Sequence, residues 1–92
     1  MTRIVIKKLV WDEYNLEHIK KHKVVQSEVE EIAKNIKAHK KAKKGRYLII
    51  GRSGSRILSI VINRKEKGIY YPVTARDSDK DERKIIYEKE KK

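Results

Sequence analysis

The sequence has no cysteine and no phenylalanine, and only one proline, one methionine and one tryptophan in 92 residues. Without cysteine there is no disulfide, no thiolate nucleophile and no cysteine-ligated zinc. No apolar run approaches the roughly 18 residues of a spanning helix, and the opening MTRIVIKKLVWDE lacks the apolar core of a signal peptide. A soluble, cytoplasmic protein with no membrane partner is therefore expected. A Walker loop, a dinucleotide fingerprint and a nucleophilic triad are missing as well. Acid is also scarce: 13 Asp and Glu stand against 25 Lys and Arg, a formal charge of +12. Repulsion on that scale favours a polyanionic partner, with nucleic acid ahead of an acidic protein or an anionic membrane surface. A chain this short encloses a thin core, which argues against a deep small-molecule cavity.

Residues 1–92 show no internal repeat and no linker, so one domain is expected. Ile4 to Val10 begins with a β-branched run and reads as a first strand. WDEYNLEHIKKH follows as a helix, with Asp12 as N-cap and Trp11 stapled to Leu16. Val29, Ile32, Ala33 and Ile36 fall at i, i+3, i+4 and i+7, which predicts a second helix, and Ser27 with Glu30 supplies a capping box. From Arg46 the period changes to two. RYLIIGR, a Ser53-Gly54 turn, SRILSIVIN, a polar loop RKEKG and IYYPVTAR read as a three-strand antiparallel meander, with Pro72 demanding an edge or a bulge. A last helix opens at Asp77 or Ser78, its N-terminus favoured by Asp79, Asp81 and Glu82. The order is β-α-α-β-β-β-α, an α+β domain, with Lys37 to Lys44 as a loop or an extra strand.

Lys37 to Arg46 holds Lys37, His39, Lys40, Lys41, Lys43, Lys44 and Arg46 and no acid. That density suits a phosphate backbone, where each neutralised charge releases counterions, though a solvated, self-repelling loop has the same composition. Arg52, Arg56, Arg76 and Arg83 add to the positive field if the meander and last helix bring them to one side. His18 and His22, four apart on the first helix, could reach one metal ion, but no third ligand has motif spacing, so no metal and no cofactor is expected. GRSGS, residues 51–55, is a hairpin turn and not a serine nucleophile elbow, which needs G-x-S-x-G entering a helix.

Taken in order, WDEYNLEHIKKHKV, KKGRYLIIGRSGSRILSIVI and TARDSDKDERKIIYE closely resemble the BrnT toxins of type II toxin-antitoxin modules. The resemblance covers nearly the whole chain. It implies a RelE-like fold, an antiparallel sheet with two N-terminal helices and a C-terminal one. It also implies a ribonuclease that cuts RNA without a metal, inhibits translation and is neutralised by a BrnA-like ribbon-helix-helix antitoxin in a 2:2 complex. Carried over by position, Lys43, Arg46, Arg56, Arg76 and Arg83 become the catalytic set, with Arg76 and Arg83 converging on the scissile phosphate. Lys37, His39, Lys40, Lys41, Lys44 and Arg52 become RNA-binding. The chain departs from the family pattern at Lys23, where glycine is usual after the histidine, and at Val25, where a capping serine is common. The alternative is a non-catalytic nucleic-acid-binding module or an inactivated toxin acting through its partner.

Overall fold

The computed structural model describes residues 4–91. Five strands, β1 (Lys8–Leu9), β2 (Ala38–Lys41), β3 (Arg46–Ser53), β4 (Arg56–Glu66) and β5 (Ile69–Asp77), form one sheet in the order β1-β5-β4-β3-β2. Helices α1 (Glu13–Lys21) and α2 (Gln26–Lys34) pack on one face and α3 (Lys80–Glu90) on the other. The expected α+β domain is present, but its sheet is mixed, because β1 joins β5 in parallel while the other pairs are antiparallel.

Alternation in β3, β4 and β5 builds two cores. Ile49, Leu58, Ile60, Ile62 and Ala75 face the helical pair, where Ile19, Val24, Val29 and Ile32 meet them. Gly51 lets α2 approach, for a Cβ there would come within 2.8 Å of Ile32. On the opposite face Ile50 and Ile57 pack with Ile86 of α3 in a smaller cluster. Ser53 donates to Glu31 at 2.8 Å and the Trp11 indole N–H to Glu30 at 2.8 Å, so α2 is tied both to the β3–β4 hairpin and to the entry of α1.

Several boundaries differ from the sequence reading, each for a local reason. The first strand shrinks from Ile4–Val10 to Lys8–Leu9, the residues in ladder register with Ile69 and Tyr70, while Lys7 and Val10 N–H bond the Gly68 and Tyr70 carbonyls at its ends. Asp12 caps α1 as expected, in a reciprocal box with Asn15, whose buried side chain also donates to the Val10 carbonyl. Trp11 packs against the main core and donates its indole N–H to Glu30, while Leu16 stays 37% exposed. Helix α2 starts at Gln26 and not beyond Ser27, because Glu28 reaches back to the Val25 N–H at 3.0 Å without any capping hydroxyl. RKEKG is largely strand: β4 runs to Glu66 and turns on Lys67 and Gly68. The hairpin turn before β4 falls on Gly54 and Ser55, between the paired Ser53 and Arg56. Asp77 still pairs with Leu58, so α3 waits for the Asp79–Glu82 box. Pro72 satisfies both of its expectations, lying beyond the short β1 and beside the bulge that shifts register between Val61 and Ile62.

The end of α1 is a Schellman turn. Val24 N–H bonds the Ile19 carbonyl, Lys23 N–H bonds that of Lys20, and Ile19 and Val24 are both buried. Lys23 has φ +59°, the left-handed conformation that glycine adopts without penalty. The departure from the family pattern thus leaves the helix exit in place and puts strain on Lys23. Lys23→Gly should stabilise the domain by about 1 kcal/mol, read as a higher denaturant midpoint at unchanged slope. A lower midpoint would mean that the lysine side chain contributes more than its backbone strain removes.

Candidate nucleic-acid interface

Paired positions in a sheet share a face, and on the α3 face the register makes three rows. Ala38, Ile50, Ser59 and Arg76 form the row beneath α3, Lys40, Leu48, Val61 and Thr74 the next, and Arg46, Asn63 and Tyr71 the last. The first is largely covered. In the other two Leu48, Val61, Thr74, Asn63 and Tyr71 are half-buried and Lys40 and Arg46 exposed, so this part of the sheet faces solvent with cations at its rim.

Lys37–Arg46 is a hairpin built on β2. Arg46 N–H bonds the Lys43 carbonyl at 3.2 Å, with Lys44 and Gly45 both at positive φ between them, as a type I′ turn requires. Lys43 and Arg46 stand at the two ends of this turn, and neither side chain has a hydrogen-bond partner among the described residues. His39 and Lys41, paired with Ile49 and Tyr47, point to the opposite face from Lys40. The Lys37 carbonyl accepts from Lys89 at 2.7 Å, beside the end of α3.

The arginines separate. Arg46 pairs with Asn63, seven residues along β4 from Arg56, or about 23 Å at the usual strand rise, and Arg56 lies on the other face. Its guanidinium is held by Glu28 at 3.1 Å, by Asp77 at 3.1 Å and by the carbonyl of the strained Lys23 at 2.8 Å. Arg52 makes a two-toothed pair with Glu90, at 2.7 and 2.9 Å. Arg76 forks onto Glu82 at 2.8 and 3.0 Å. Arg83 turns the other way, into a cleft of about 620 Å³ that Arg56 also lines and Arg76 does not. The expected convergence of Arg76 and Arg83 on one phosphate is therefore absent, because Glu82 draws Arg76 beneath the helix.

Glu82 is the residue that the sequence reading undervalued. In the sequence it reads only as one of three acids, with Asp79 and Asp81, that suit the positive helix N-terminus; the D-x-x-E spacing of a capping box is the signal that could find it. The side chain is buried, yet Oε1 accepts from Asp79 N–H, the Ser59 hydroxyl and Arg76, and Oε2 accepts from Arg76 again. Ser78 donates in turn to Ser59 at 2.7 Å. The Arg76 hydrogen bonds, seconded by Asp79 N–H and Ser59, hold the Glu82 carboxyl down to about 2 although burial pushes it up. Tyr71, also unassigned from sequence, donates to both oxygens of Asp12; burial first, and then that bond, pushes its phenol up, so it stays protonated.

Sheet, helices and order together define a small α+β fold, a five-stranded mixed sheet with two helices on one face and one on the other. The structure superposes on the crystal structure of the Brucella abortus ribonuclease toxin BrnT with a TM-score of 0.65 at 20% identity, covering 79% of this chain and 97% of that one. The fold implied by the resemblance to BrnT toxins is thus the fold observed. No family model and no curated protein matches the sequence.

Because the Glu82 carboxyl is held below its ordinary value, its share of stability is complete above about pH 4.5 and is lost as pH falls towards 2. Glu82→Gln should lower stability at pH 7 by roughly 2–3 kcal/mol, less than for a fully buried pair because Arg76 remains 40% exposed, and should flatten the acid limb between those pH values. Unfolding titrations of the two proteins from pH 7 to 2 provide the check. Parallel curves would show that Glu82 does not carry the acid dependence.

Proposed function

We propose that this chain is a metal-independent endoribonuclease, the cytoplasmic toxin of a type II toxin-antitoxin pair, which inhibits translation by cutting RNA. What carries the reading is an open sheet face rimmed by unpaired cations, on a fold shared with a ribonuclease toxin. The sequence forms one functional domain over residues 1–92. Among the described residues no group of His, Cys, Asp and Glu could hold a metal ion, so charge stabilisation is assigned to guanidinium and ammonium groups.

RNA carries its own nucleophile. The ribose 2′-oxygen attacks the adjacent phosphorus, its proton leaves to a base, and the P–O bond to the 5′-oxygen breaks as that oxygen takes a proton. Arg46 stabilises the charge that grows on the phosphate, water takes the 2′-hydroxyl proton, and Lys43 gives a proton to the departing 5′-oxygen. Arg76 lies on the same face two rows further along β4, about 13 Å by strand rise, and grips a neighbouring phosphate through its Nε–H, which has no partner among the described residues. Lys37, Lys40 and Lys44 hold backbone without reading sequence. Arg56 and Arg83 act at the separate cleft; His39, Lys41 and Arg52 are peripheral.

Purified protein should degrade RNA in excess EDTA and leave DNA of the same sequence intact, because DNA lacks the 2′-hydroxyl. Arg46→Ala and Arg46→Lys should both lose roughly a hundredfold in turnover or more, the lysine failing because it lacks the planar fork. Complete loss of wild-type activity on chelation, or full activity in Arg46→Ala, would overturn the mechanism. A non-catalytic nucleic-acid-binding module is the second reading, favoured by the carboxylates that already occupy Arg56 and Arg76. Binding without cleavage in the same assay would select it.

A site made of cations is switched off by an acidic cover, and we assign that role to a BrnA-like ribbon-helix-helix antitoxin. Its own dimerisation makes a symmetric 2:2 assembly. Light scattering on the co-expressed pair should return the mass of two of each chain; a stable 1:1 mass would contradict it.

A further inference from the structure

Helix α3 carries a feature that the proposed chemistry does not use. Lys80, Arg83, Lys84 and Tyr87 recur at i, i+3, i+4 and i+7, so they form one stripe along the helix. This stripe is distinct from the face that Glu82 and Ile86 bury against the sheet. It borders the cleft of about 620 Å³, whose other wall is the start of β4, Ser55 to Ile57, with Asp77. The lining combines four cations, Arg56, Lys80, Arg83 and Lys84, with one carboxylate, Asp77, which is already engaged by Arg56. Tyr87 is 49% exposed, and the side chains of Lys80, Arg83 and Lys84 have no hydrogen-bond partner among the described residues. At about 1.5 Å per residue the stripe runs some 10 Å, from Lys80 to Tyr87.

Cations beside an exposed aromatic ring are what a single-stranded nucleic acid meets in proteins that bind it without reading sequence: the backbone follows the charge and a base stacks on the ring. An acidic protein would use the charge but has no need of the ring. From this difference we propose that the α3 cleft is a second, non-catalytic RNA subsite, in which one unpaired base stacks on Tyr87 while Arg83, Lys84 and Lys80 hold its flanking phosphates. The inference rests on the RNA reading above and deepens it. Since the cleft and the Lys43–Arg46 turn lie at opposite ends of β4, the strand is held at two points, and the substrate must be several nucleotides of unpaired RNA.

Fluorescence anisotropy with a labelled, non-cleavable 2′-O-methyl RNA twelve-mer tests this on the intact chain. Tyr87→Ala should weaken binding roughly 5- to 100-fold and Tyr87→Phe should restore most of it, as stacking requires. Lys80→Ala with Lys84→Ala should lower the slope of log affinity against log salt by about one to two. Polyglutamate of matched charge should show no dependence on Tyr87. Unchanged RNA affinity in a folded Tyr87→Ala variant would remove the subsite while leaving RNA binding standing. An equal loss for polyglutamate would make the cleft a protein-binding surface and overturn the proposal. If the wild-type protein binds no RNA, the subsite and the ribonuclease reading fall together.

Discussion

The buried carboxylate of Glu82 is the constraint on which the functional surface depends. It sits where β4, β5 and α3 meet and accepts four hydrogen bonds, from Ser59 on β4, from the backbone of Asp79 and twice from Arg76 on β5. A charge buried in this way is tolerated only when every lone pair is met, and truncating either partner leaves the other exposed to that penalty. Helix α3 otherwise rests on Ile86, the exposed Arg52–Glu90 pair and the Lys89 contact to Lys37. Fixing α3 over one row of the sheet leaves the next two rows open, and it aims the Lys80–Tyr87 stripe at the β3–β4 hairpin.

The same economy of acid shapes the electrostatics. Glu28, Asp77, Glu82 and Glu90 are all spent on Arg52, Arg56 and Arg76, the arginines that join helices to the sheet. Among the cations left over, Lys43, Lys44 and Arg46 stand at the β2–β3 turn and Lys80, Arg83 and Lys84 along α3. Two clusters of unpaired cations thus stand at opposite ends of β4. A flexible polyanion can touch both at once, whereas a compact anion can touch only one.

Periodicity made the scaffold legible. The change from a 3.6 to a 2.0 period at Arg46, the helical spacing of Val29, Ile32 and Ala33, and the Asp12 cap all point to the structure that forms, although α2 ends at Lys34, before Ile36. Boundaries were less legible where a long-range partner decides: β1 ends with its pairing to β5, and α3 starts where Asp77 is released by Leu58. The site was least legible, because register and not spacing decides which arginines share a face. Arg56 and Arg76 read alike in the sequence, yet one residue of alternation sends them to opposite sides, and the carboxylates that hold them lie 28 and 6 residues away. The 80–87 stripe was present in the sequence as a helical spacing, but only the fold shows that it borders a cleft.

Amide hydrogen exchange on the protein saturated with a non-cleavable 2′-O-methyl RNA tests the central claim most directly, since it maps where the strand lies without relying on turnover. The account predicts added protection across Ala42–Leu48, at Val61 and Asn63 and at Val73–Thr74, with the helical face formed by α1 and α2 unchanged. A footprint confined to α1 around His18 and His22, or no protection on the open sheet face, would contradict it.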